Sequence, residues 1–239
     1  MNVYETGTVD TLIRGNSYVG RGIIVGLTPD KKNAVAAYFI MGRSENSRNR
    51  VFVESGDDVT IYPFDESKVE DPSLIIYSPV RRLGDKLIVT NGDQTDTVYS
   101  FLSEGKSFEA ALDTREFEPD RPNFTPRISA LLELDKAFTY KMNILKSGDP
   151  EGTVCSRFNF SYTALPGLGH FIHTYVCDGN PIPTFTGEPE RIETENDIDA
   201  FTDKLWNALD ENNKISLYVR YINLADGTAE NRMINKNHK

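Results

Sequence analysis

The sequence predicts an α+β fold in which antiparallel strands dominate and helices pack over the outside of the sheets. Short apolar runs bounded by turn residues recur between Gly22 and Thr90, and strand-like runs rich in Phe, Tyr and Val return from Ile128 onward. Helical spacing interrupts them twice, after Asn91-Gly92 and again near Asn196. In order, Gly22 to Leu27 and Ala34 to Met41 flank the turn Pro29-Asp30-Lys31-Lys32-Asn33 and predict a hairpin. Val51 to Glu54 and Val59 to Tyr62 are shorter strands around Gly56. Leu74 to Tyr77 and Lys86 to Thr90 are expected to pair across Gly84-Asp85. Asp93, with Asp96 three residues on, predicts a helix cap, followed by Val98, Phe101 and Leu102 on one face until Gly105. A second short helix is expected from Ser107, burying Phe108, Ala111 and Leu112. Strands are predicted within Ile128 to Leu145, Val154 to Ala164 and Gly169 to Cys177. From about Asn196 to Leu209, the spacing of Ile198, Phe201, Leu205 and Leu209 predicts the clearest helix. Ile215 to Leu224 closes as a strand with Leu217, Val219 and Tyr221 on one face.

With 38% hydrophobic and 26% charged residues, the chain can bury a sizeable core, and it reads as a single domain over 1–239 without repeats or low-complexity runs. A formal charge of −10 disfavours nucleic acid and anionic membrane as partners, so an anionic ligand must be met by local arginines. No stretch approaches ~20 apolar residues and the start, Met1-Asn2-Val3-Tyr4-Glu5, lacks a signal peptide's basic and apolar regions, so a cytoplasmic protein is expected. Cys155 and Cys177 are too few for a disulfide framework and are expected as small buried thiols. His170 and His173 are three apart on an expected strand, so they face opposite sides of a sheet and share no metal. His238 lies in a polar tail. No metal-ligand spacing, Gly-rich phosphate loop or dinucleotide fingerprint occurs in the sequence.

Several segments carry chemistry only if they meet a ligand. Arg43-Ser44-Glu45-Asn46-Ser47-Arg48-Asn49-Arg50 offers three guanidinium groups among small polar residues, suited to a monophosphate, but reads more simply as a solvated basic turn. Asn91-Gly92-Asp93 leads into a helix N-terminus, with free N–H groups for a ligand oxygen or for a plain tight turn. Glu118 lies outside any amphipathic pattern, and Tyr77 precedes Arg81-Arg82. A carboxylate can move a proton if burial raises its pKa, and a phenol of reference pKa ~10 can donate one or bind an oxyanion. Each residue alone is more simply ordinary.

The order of these segments resembles the archaeal-type IMP cyclohydrolase family. The resemblance is carried over about residues 18 to 145 by Gly20-Arg21, Ala37-Tyr38, Gly42-Arg43-Ser44, Asn49-Arg50, Ile76-Tyr77 with Arg81 and Gly84-Asp85, Asn91-Gly92 with Thr95-Asp96-Thr97, and Thr125-Pro126-Arg127-Ile128. It implies a four-layer αββα sandwich like that of N-terminal nucleophile (Ntn) hydrolases, without self-cleavage, metal or organic cofactor. It also implies the closing step of purine synthesis, in which 5-formamidoimidazole-4-carboxamide ribotide (FAICAR) becomes inosine monophosphate (IMP) with loss of water. By local motif the resemblance assigns catalytic roles to Tyr77, Glu118 and Arg50. It assigns substrate contacts to Arg21, Tyr38, Arg43, Ser44, Arg81, Asn91, Gly92, Asp96 and Arg127. The Glu118 correspondence depends on the neighbouring aromatic Phe117 and needs a one-residue insertion before Thr125, and a long basic loop leaves Arg48 and Arg50 partly interchangeable.

For that reaction a carboxamide nitrogen must attack a formyl carbon within one molecule, so folding the substrate into a near-attack conformer is much of the task. One group then removes a proton and another serves the formyl oxygen, with Glu118 as base and Tyr77 as donor the simplest allocation. The alternatives are an Ntn-type amidohydrolase, which needs a Cys, Ser or Thr at a mature N-terminus, and a non-catalytic nucleotide-binding module. Whether the chain forms a homo-oligomer stays open.

Overall fold

Arg21–Leu27 (β1) and Asn33–Met41 (β2) form the expected hairpin, with Ile23 opposite Tyr38. Both strands are buried along nearly their whole length. Strands covered on both faces select apolar residues at every position, which is why this hairpin reads as continuous runs rather than as alternation. A computed structural model describes residues 4–68, 76–135 and 137–237 and arranges its strands in two sheets.

The six-stranded sheet runs Glu190–Glu193 (β11), Leu168–His173 (β10), β1, β2, Lys214–Asn223 (β12) and Ala229–Asn235 (β13). The seven-stranded sheet takes its strands in chain order: Val51–Ser55 (β3), Asp58–Tyr62 (β4), Val80–Leu83 (β5), Lys86–Thr90 (β6), Arg127–Glu133 (β7), Thr139–Ser147 (β8) and Cys155–Thr163 (β9). Every neighbouring pair is antiparallel.

The sheets stack face to face. Ile23, Val25, Tyr38 and Ile40 of one meet Phe52, Leu87, Val89, Ile128 and Ala130 of the other in a single buried cluster. Val9–Ile13 (α1) and Ile198–Ala208 (α5) cover the outer face of the six-stranded sheet over Ile24, Phe39, Leu217 and Val219. Gln94–Ser103 (α3) and Phe108–Asp113 (α4) cover the other outer face over Ile88, Leu131 and Leu145. Helix, sheet, sheet, helix is the layering the resemblance implies. Helix α5 starts where Asp197 accepts hydrogen bonds from the backbone N–H groups of Asp199 and Ala200, and buries Ile198, Phe201 and Leu205.

Several sequence expectations are corrected. The partner of β6 is Val80–Leu83, and Tyr77 lies before it in irregular backbone. Leu74 and Ile75, like His238, fall outside the described residues. Asp93 makes no side-chain cap; its carboxylate is taken by Arg115 and Arg127 instead. Cys177 is exposed and Cys155 half-buried, and both thiols are free. Strands β11 and β13, helix α1 and the single turn Glu45–Arg48 (α2) were not anticipated: they are short, or, in β13, polar and without apolar alternation. His170 and His173 do face opposite sides of β10. His170 accepts or donates at Nδ1 to Tyr140 Oη (2.7 Å) between the sheets, and His173 stacks on Phe171 of the outer cluster.

Candidate active site

Arg21, Tyr38, Arg50, Tyr77 and Glu118 come from separate segments and meet where β1 begins between the sheets. Gly20 makes this entry to β1 feasible. Its φ is +78°, and a Cβ there would run into Thr174 Oγ1 and the Tyr175 ring, so only glycine lets β1 approach residues 174 and 175 this closely. Arg21 N–H then donates to Thr174 Oγ1 (3.1 Å), and Thr174 N–H returns a bond to Arg21 C=O (3.0 Å).

The basic loop sorts its own arginines. Ser44 caps α2 reciprocally with Ser47. Arg48 is consumed locally, donating from Nε to Gly42 C=O (3.0 Å) and from Nη2 to Asn213 Oδ1 (2.9 Å). Arg50, at the entrance to β3, is left to point among Tyr38, Tyr77, Arg21 and Glu118. This separates two residues that spacing alone leaves interchangeable.

Tyr38 is fully buried and Tyr77 nearly so, with their hydroxyls 3.2 Å apart. Burial, and then Tyr77 beside it, push the Tyr38 phenol well above its ordinary value, so it stays protonated. Backbone pairing of Ile61 N–H with Tyr77 C=O (2.9 Å) ties Tyr77 to β4. Glu118 is half-buried, and its loop is closed on itself by Glu118 N–H to Thr125 C=O (2.9 Å). Asp120 holds the same loop by accepting from Thr125 N–H (2.6 Å) and Oγ1 (2.5 Å), while Thr125 Oγ1 also meets Tyr175 Oη at 2.5 Å.

The electrostatics are unusual for a core. Burial works to lower the Arg21 pKa, but the Glu118 carboxylate and the surrounding tyrosines 18, 77 and 175 outweigh it and hold the guanidinium charge firmly in place. Burial lowers Arg50, and the like charge of Arg21 lowers it further. The Nε atoms of both arginines are buried without a hydrogen-bond partner. Two neighbouring guanidinium groups with buried, unpartnered Nε atoms, one carboxylate and a phenol pair make a site suited to an acceptor-rich group. Such a constellation can bind an oxygen-rich or anionic group and move protons beside it.

The remaining predicted residues separate into other settings. Arg43 is exposed; it pairs with Asp178, donates to Gly179 C=O (2.9 Å) and lies 5.1 Å over the Tyr18 ring, which itself stacks on Tyr175 at 5.7 Å. Arg81 and Asp96 bind each other (2.8 Å), with Arg81 stacked on Tyr99 of α3, so both serve the outer face of the seven-stranded sheet. Asn91 fastens the end of β6 to β7, donating to Pro126 C=O (2.9 Å) and accepting from Ile128 N–H (2.8 Å). Gly92 leaves room for the Arg127 guanidinium, which binds Gln94 Oε1 and Asp93 at 2.7 Å each. Sequence reasoning singled out neither Tyr18 nor Tyr175. The adjacency of Tyr18 to Gly20-Arg21 was the available signal for the first; Tyr175 stood unremarked at the end of an apolar run.

Among the described residues no group of three or more His, Cys, Asp or Glu side chains could hold a metal ion, and no helix is long and apolar enough to cross a membrane. A family model described as IMP cyclohydrolase-like protein matches residues 18–227, well past the point where the sequence motifs run out. Curated relatives carry the name IMP cyclohydrolase. One from Methanococcus maripaludis strain C7 is 34% identical over 126 residues, covering 51% of this chain and 61% of its own length. One from Methanococcus aeolicus is 30% identical over 165 residues, 67% of this chain and 75% of the relative. One from Methanopyrus kandleri is 27% identical over 183 residues, 70% and 89% respectively. The chain thus spans 61% of the length of the first of these relatives.

Proposed function

Because the chain belongs to the IMP cyclohydrolase-like protein family, we propose that it is a hydrolase-class enzyme that closes FAICAR to IMP with release of water. The observation that carries this reading is the convergence of Tyr77, Glu118 and Arg50 with Arg21 and Tyr38, leaving two buried guanidinium Nε atoms unpartnered.

In the proposed reaction the carboxamide nitrogen of the substrate attacks its own formyl carbon. The nitrogen is a poor nucleophile, so Glu118 accepts its proton as the bond forms. Negative charge then grows on the formyl oxygen, and Arg50, with the Tyr77 hydroxyl, meets it from a site that is already oriented and partly dry. The oxyanion takes one proton to become a hydroxyl, and that hydroxyl leaves as water on the proton Glu118 accepted. As it leaves, the lone pair of the former formamide nitrogen closes the C=N bond, and that nitrogen's N–H proton returns to the group that protonated the oxyanion. Tyr77 is the donor to the oxyanion, and Tyr38, hydrogen-bonded to it and held protonated by burial, fixes the direction of the phenol. Arg21 lies beside this base, and the Glu118 carboxylate in turn holds the guanidinium charge in place. Arg43, exposed and able to exchange Asp178 for a stronger anion, takes the ribotide phosphate at the mouth.

Incubation with FAICAR, following IMP by chromatography, tests the reading directly. Stoichiometric conversion with multiple turnovers is expected. Tight IMP binding without turnover would reduce the protein to a nucleotide-binding module, and hydrolysis of FAICAR's formyl group without ring closure would make it an amidohydrolase.

A further inference from the structure

On the outer face of the six-stranded sheet, a cavity of about 280 Å³ opens between α1 and the segment after β10. Ile13, Val19 and Phe185 form buried apolar walls, and Val176 stays exposed at the rim. His173 and Glu190 supply the chemistry. The imidazole is clamped, stacked on Phe171 (4.7 Å between centroids) and edge-on to Phe185 (4.6 Å), so its nitrogens have fixed directions. Nδ1 lies 2.7 Å from Tyr175 C=O, and a carbonyl only accepts, so Nδ1 carries the proton.

In the neutral ring Nε2 is therefore a lone pair, and it faces Glu190 Oε2 at 3.4 Å. Two acceptors this close leave no room for a third atom on the line between them, so a donor that serves both must approach from the cavity side. No other cation is paired with Glu190 among the described residues, and its side chain is 37% exposed, within reach from the cavity. The net charge of −10 adds a field that draws cations.

We propose that this cavity is a second ligand site, distinct from the candidate active site, for a small cationic amine or amidine with an apolar body. Its N–H groups bridge His173 Nε2 and Glu190, and its body lies against Ile13, Val19 and Phe185. The site is back to back with the catalytic cluster, because Tyr175, whose carbonyl orients His173, turns its ring toward Tyr18 and Thr125.

Benzamidine is a suitable probe, with benzyl alcohol as the neutral control. Titration of the full chain by calorimetry, with and without saturating IMP, is expected to show benzamidine binding that IMP does not displace and that benzyl alcohol does not match. Glu190→Gln should weaken benzamidine at least about tenfold, since one charge-assisted hydrogen bond is lost. His173→Asn keeps a donor toward Tyr175 C=O, preserving the local fold, yet removes the Nε2 acceptor and should weaken benzamidine similarly. Displacement by IMP, equal affinity in the two variants and the parent, or absence of benzamidine binding would each overturn the proposal. None of these outcomes depends on turnover of FAICAR.

Discussion

Arg48 and Arg50 differ by two positions in sequence and wholly in environment. Arg48 closes the loop onto Gly42 and Asn213, whereas Arg50 enters the phenol and carboxylate cluster. Arg50→Ala should therefore lower kcat/KM for FAICAR by about 10²- to 10³-fold, the usual effect of removing a preorganised charge at a developing oxyanion. Arg48→Ala should leave kcat/KM within about twofold and cost about 1 kcal/mol of stability. Steady-state kinetics with denaturant titration separates the two, and equal behaviour would return the loop to a solvated turn. A second residue-level expectation concerns His170, which burial, and then the nearby positive Arg191, hold down at about 4, facing Tyr140 and Tyr162. An unfolded imidazole titrates at about 6.5. Between pH 6.5 and 4 the unfolded chain takes up a proton that the folded chain refuses, so stability falls as pH falls through that window, by on the order of 3 kcal/mol. Above pH 6.5 the effect is absent. Urea midpoints measured across the window should fall less steeply in His170→Gln than in the parent. Individually these residues were poorly legible: a lone Tyr, Glu or Arg carries no spacing signal, and Tyr77, Glu118 and Arg50 stood out only through the order of motifs around them.

Elements were legible in proportion to how much of them is buried. The β1–β2 hairpin, α5 and β12 have apolar faces that enter the core, and their patterns read directly from the residues. Strand β13, Ala-Glu-Asn-Arg-Met-Ile-Asn, is a partly exposed edge whose order comes from pairing with β12, a contact no local pattern encodes. Tyr77 differs from expectation for a related reason: it is apolar enough to look like strand, but it lies in irregular backbone before β5, tied to β4 by one hydrogen bond. The junction at Gly20 shows how an element aims a side chain. Gly20→Ala forces a positive φ on an L-residue and drives its Cβ into Thr174 and Tyr175. It should cost about 1–3 kcal/mol and lower activity through displacement of Arg21. Thermal unfolding monitored with IMP titration checks this; unchanged stability and affinity would show that the entry to β1 is not constrained by that contact.

At the scale of the molecule, two antiparallel sheets enclose one core, and the candidate site lies where segments from both sheets approach each other. Arg21 and Tyr38 are set by the six-stranded sheet, Arg50 and Tyr77 by the entrances to β3 and β5, and Glu118 by the loop before β7. The α+β class was readable from composition and period. The face-to-face stacking that gathers those residues depends on contacts distant in sequence and came instead from the resemblance. The central claim is that Tyr77 and Glu118 act together on the addition of the carboxamide nitrogen to the formyl carbon, one giving and one taking a proton. It is tested most directly by a double-mutant cycle in kcat for FAICAR closure using Tyr77→Phe and Glu118→Gln, two near-isosteric changes. Each single variant is expected to retain IMP affinity and lose about 10²- to 10⁴-fold in kcat, with the double variant losing much less than the product of the two. Parental kcat in both single variants, or full multiplicativity in the double, would contradict a shared step at this site.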